Sequence, residues 1–158
     1  MAQKTDFTAE EWASLTGGPV AAALYVITAS PSLLGMFSEV NAMMHAIQAA
    51  GSAAPAGTLL AAVLADLNQT CTKRHVSDMK PRGGADQASA MARLLEAVRL
   101  ASSAVGAKGS PEEAQAYGGF VLGVARAVAQ AAKDDGQAVS AKEKAALDTL
   151  AQTLGVSA

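Results

Sequence analysis

Cysteine, histidine and aromatic residues are scarce in this 158-residue chain: one Cys, two His, three Phe, two Tyr and one Trp. A single cysteine, Cys71, excludes an intrachain disulfide and any multi-cysteine metal site. Charge is scarce too, at 16% of residues with a net charge of −2. No positive excess is available to hold a nucleic-acid backbone by bulk charge. Long apolar runs are also missing. The stretch from Val20 to Ala29 is about half a bilayer span, and the longer one from Ala114 to Ala132 is interrupted by Arg126. An arginine at mid-span costs roughly 2.5–3.5 kcal/mol on insertion scales. The first eleven residues carry one Lys against Asp6, Glu10 and Glu11, with no apolar run directly after them, which argues against a secretory signal. These absences predict a soluble, cytoplasmic protein with no membrane span. An unpaired Cys71 agrees with a reducing compartment.

What the chain does have is alanine: 38 residues, in a sequence that is 51% hydrophobic. Alanine is the best helix former and a poor strand former, so an all-β fold is excluded. The length fits one domain, 1–158. Helix starts are clearly marked. Thr8-Ala-Glu-Glu11, Ser110-Pro-Glu-Glu113 and Ser140-Ala-Lys-Glu143 are capping boxes, and Phe7 and Trp12 flank the first at staple positions. Gly17-Gly18-Pro19 reads as a stop and a new start. The pattern predicts seven helices, over about 9–16, 19–29, 31–50, 57–68, 86–105, 111–133 and 141–154, with a polar loop at about 69–85.

Met91, Leu94, Leu95, Val98, Ala101 and Val105 form one face of the fifth helix, and Leu147, Leu150, Ala151 and Leu154 one face of the seventh. The second and sixth helices are apolar almost all round, which predicts that they are central. Gly119 and Gly123 stand one turn apart on the sixth, ahead of Ala125, Ala129 and Ala132. Small residues at that spacing predict close packing inside the bundle.

Chemistry has few places to sit. The loop segment Cys71 to Gly84 gathers Lys73, Arg74, Lys80 and Arg82, four of the twelve cationic side chains. These four are a candidate anion site; the alternative is a solvated loop. No aromatic residue interleaves with them to stack a base, and no phosphate-loop spacing surrounds Gly83-Gly84. Cys71 and His75 are four residues apart and would share a helical face, but no second cysteine completes a metal site. No nucleophile elbow, His-Glu-x-x-His or dinucleotide fingerprint occurs. The paired acids Glu10-Glu11 and Glu112-Glu113 lie in first turns, where the helix dipole accounts for them. Asp134-Asp135-Gly136 leads into Ser140 and Glu143. Oxygen ligands there are a candidate Ca²⁺ or Mg²⁺ site through Asp134, Asp135 and Glu143; the alternative is a capped helix–turn–helix link. The third helix carries Met36, Val40, Met43, Met44 and Ile47, a stripe that fits core packing or an apolar groove for a ligand or partner.

Two resemblances add to this reading. The segment from Lys133 to Gly155 resembles the helical hairpin of tellurite-resistance TerB-like domains, with Asp135, Gly136, Ser140 and Glu143 on the matching positions. That resemblance implies an all-helical fold and metal binding by the acids of the turn. Phe7 to Trp12, Ala29 to Ser32 and Leu64 to Leu67 together resemble a group of small bacterial helical proteins, which implies no activity. The sequence therefore predicts an all-α bundle serving as a non-enzymatic interaction module, with a protein partner or self-association. TerB-likeness implies a stress or assembly role. The alternative is a small-ligand or divalent-metal protein. No cofactor beyond Ca²⁺ or Mg²⁺ is expected.

Overall fold

The computed structural model describes residues 1–30, 36–69, 86–134 and 139–157, leaving aside the side chains of 36–37 and 132–134. Among the described residues there are six α-helices and no strand. They are α1 (Ala9–Ala29), α2 (Met36–Ala53), α3 (Leu59–Gln69), α4 (Gln87–Lys108), α5 (Pro111–Asp134) and α6 (Ala141–Leu154), preceded by a 3-10 turn at Lys4–Asp6. The all-α class is as the composition requires.

All three capping boxes form. Glu11 N–H donates to Thr8 Oγ1 at 3.2 Å while Thr8 N–H donates to Glu11 Oε2 at 2.7 Å. Ser110 with Glu113 and Ser140 with Glu143 repeat the arrangement. Each box satisfies two of the backbone donors that a helix start leaves without a partner. The Phe7 and Trp12 rings pack 5.8 Å apart across the first box. At the far end, Gly155 takes the left-handed conformation (φ 66°) that closes α6.

The break expected at Gly17-Gly18-Pro19 is absent: α1 runs through it, so the two helices expected over 9–16 and 19–29 are one, and the described residues hold six helices. Pro19 has no N–H, so the carbonyl of Leu15 loses its normal helical donor. The hydroxyl of Tyr117, on α5, donates to that carbonyl at 2.8 Å in a buried setting. Gly18 makes the room. A Cβ at position 18 would overlap the Tyr117 hydroxyl and lie 3.0 Å from Ala101 Cβ. A side chain 102 positions away thus replaces the missing backbone bond. Its burial pushes the Tyr117 phenol above its ordinary range, so it stays a donor at any working pH.

The expected central pair is present as α1 and α5, each of which touches all five other helices. Ala21, Ala22 and Ala23 of α1 and Ala125 and Ala129 of α5 are buried, and these small side chains allow the helices to crowd together. Gly119 and Gly123 have no part in this packing. Both are exposed, and a Cβ on either would meet nothing within 4 Å. The inner face of α5 instead carries Tyr117, Gly118, Val121, Leu122 and Ala125. Gly118 is the glycine a neighbour requires, since its Cβ would come 2.8 Å from Val156 beyond α6. Adjacent helical positions differ by 100°, so a one-residue difference separates the inner face from the outer.

Among the described residues α1 is the one helix long and apolar enough to cross a bilayer, and 78% of that stretch lies inside the bundle. Polar clasps close one end of the bundle. Lys4 Nζ lies 2.5 Å from Asp66 Oδ2, and Trp12 Nε1 donates to the same oxygen at 2.8 Å. These two partners, Lys4 first, hold the Asp66 carboxyl below the usual carboxylate range. Lys108 pairs with Glu11 at 2.5 Å and donates to the Asp6 carbonyl at 2.9 Å.

Candidate functional site

The sequence between α2 and α3 makes a tight corner. Ala54 and Pro55 end the first helix, Gly57 turns in the left-handed region (φ 83°), and Thr58 Oγ1 accepts from Ala61 N–H at 3.2 Å to begin the second. This corner stands off from α5 and leaves an open groove of about 440 Å³. Ala46 and Ala50 of α2, Ala54 beyond it, Leu60 of α3, and Phe120 and Gly123 of α5 line it. Every lining residue is apolar or glycine, so the groove holds no acid, base or nucleophile. It can supply van der Waals contact and desolvation, which suits a side-chain row or a helix face.

The outer face of α5 borders this groove and shares Ala116 and Gly123 with it. Glu112, Gln115, Ala116, Gly119, Gly123, Arg126 and Gln130 are all exposed there. Its charges are Glu112 and Arg126, fourteen positions apart. The Glu112 carboxyl is held below its ordinary range by its own backbone N–H and then by Ser110. Arg126 Nη2 reaches the Ser157 carbonyl at 3.4 Å and is otherwise directed to solvent. A second recess of about 410 Å³, between α1, α4 and α6, mixes Tyr25, Ala29 and Met91 with Lys142 and Thr149.

Of the residues singled out in the sequence, Val40, Met43, Met44, Ile47 and Glu143 have described side chains. Met43 and Ile47 are buried in the core, while Val40 and Met44 are half-buried and pack against it. The side chain of Met36 lies outside the described residues. So do Cys71, Lys73, Arg74, His75, Lys80 and Arg82, together with Asp135 and the side chain of Asp134. Glu143 is buried and spends one carboxylate oxygen on the Ser140 N–H at 2.7 Å. His45 is exposed. Among the described residues no three His, Cys, Asp or Glu side chains cluster to hold a metal.

Sequence reasoning missed two buried polar groups. Glu39, in the first turn of α2, is only 1% exposed. Its signal was available: Glu39, Met43 and Ile47 recur every four residues, so the carboxylate stands in line with the most buried apolar residues of that helix. Tyr117 was the other. Its signal was a polar-tipped aromatic on the inner stripe of an otherwise alanine-rich helix, where a buried hydroxyl needs an acceptor. No family model, curated protein or solved structure matches this chain.

Proposed function

We propose that the protein is a non-enzymatic helical interaction module, whose contact surface is the apolar groove between α2, α3 and α5 together with the outer face of α5. One observation carries this reading. Gly119 and Gly123 are helix-interior glycines whose Cβ positions are open space, so packing within the fold gives no reason for them. Glycine in mid-helix costs about 0.5–1 kcal/mol relative to alanine. A helix from outside the fold, laid closely on α5, supplies the reason that the fold does not. A cytoplasmic setting and a stress or assembly role, the latter implied by the TerB-like look of the 133–155 hairpin, belong to the same reading.

The test is a single substitution on the shared edge of groove and face. Gly123→Arg places a large cation at the edge of the groove, at a position whose Cβ meets nothing within 4 Å. The variant is expected to keep wild-type helical circular dichroism and to lose the binding partners, including further copies of the chain, that immobilised wild-type protein retains. Equal recovery by both would overturn the proposal.

A further inference from the structure

The geometry points to a second copy of this chain as an occupant of the α5 outer face, paired antiparallel about a two-fold axis at Gly119. This deepens the proposed function and rests on it. The argument is one of charge and register. Glu112 and Arg126 stand seven positions to either side of Gly119, and all three are exposed on one face. Seven residues are close to two helical turns, so each charge lies about 10 Å along the axis from Gly119 and within about 20° of it around the helix. A two-fold axis at Gly119 sets each chain's Glu112 opposite the other's Arg126, twice per dimer. An isologous contact requires this kind of self-complementarity.

Other registers do not have it. A two-fold at Gly123 sets Ala116 opposite Gln130 and leaves both charges without an opposite number. A parallel pair sets Arg126 against Arg126 and Glu112 against Glu112, which is repulsive. The residue at the crossing point is also the right one. Gly119 meets nothing within 4 Å of its Cβ position, so a partner backbone can approach closely there. The charged side chains are long and stand where crossing helices diverge, so they can span the widening gap. One helix crossing buries much less than the ~1,600 Å² of a standard interface. The dimer is therefore a weak one, governed by concentration and salt.

Sedimentation equilibrium of the full chain, from roughly 1 µM to roughly 1 mM, tests it. Wild type is expected to shift from monomer toward dimer, and to shift less at 0.5 M salt, because the paired charges are exposed. Glu112→Lys and Arg126→Glu, each alone, should weaken association about tenfold, since each turns two attractive pairs into repulsive ones. The double reversal should restore it to within about threefold. Gly119→Gln, at an exposed position whose Cβ meets nothing within 4 Å, should give a monomer throughout. A wild type that is monomeric across the range, or a double reversal no better than the singles, overturns the inference. A monomeric wild type would leave the groove proposal standing if Gly123→Arg still loses a different partner.

Discussion

Tyr117→Phe is expected to destabilise the fold by about 1–3 kcal/mol, because it leaves the buried Leu15 carbonyl with no donor. The ring and its packing survive, so the loss belongs to one hydroxyl. Restoring the backbone donor should relieve it. Pro19→Ala returns an N–H to position 19, and Tyr117→Phe made in that background should cost less by about 1 kcal/mol or more. Urea denaturation of the four proteins in the cycle measures the coupling. Strictly additive costs would mean that the Tyr117 hydroxyl is not standing in for the missing bond of Pro19.

Met43→Ala should cost about 2–5 kcal/mol, because Met43 is fully buried and its removal leaves a cavity. Met44→Ala, one position on and half-buried, should cost well under half as much. Thermal or urea unfolding distinguishes the two. Similar costs would mean that the stripe of α2 is not the packed face that Met43 and Ile47 make it.

Local signals in the sequence carried the helix starts. Thr8, Ser110 and Ser140 each stand three residues before a glutamate, and capping is a contact within four residues, so no distant information is needed. The apolar character of α1 and α5 likewise marked them as the central pair. Pro19 shows where local signals stop. Gly-Gly-Pro favours a break on every local rule, and the group that prevents it arrives from position 117. The glycines of α5 show a second limit. Their spacing was visible, but whether such a stripe faces inward or outward depends on which neighbouring stripe is the more apolar, and Tyr117, Val121 and Leu122 claim the interior. The groove was not legible at all. It is made by the corner at 54–58 standing off from α5, and by apolar residues drawn from three helices, half of them alanines that carry no signal of their own. The charges at 112 and 126 were plain in the sequence, yet their shared face with Gly119 has meaning only once that face is known to be exposed.

The central claim is that α5 has one face for the fold and another for contact outside it. The most direct test is the urea midpoint as a function of protein concentration, for wild type and for Gly119→Gln/Gly123→Gln. The wild-type midpoint should rise with concentration, since association favours the folded state. At the lowest concentration the variant should be more stable by about 1–2 kcal/mol from the two removed glycines, and its midpoint should not change with concentration. A variant less stable than wild type at high dilution, or one whose midpoint still rises with concentration, would contradict the claim.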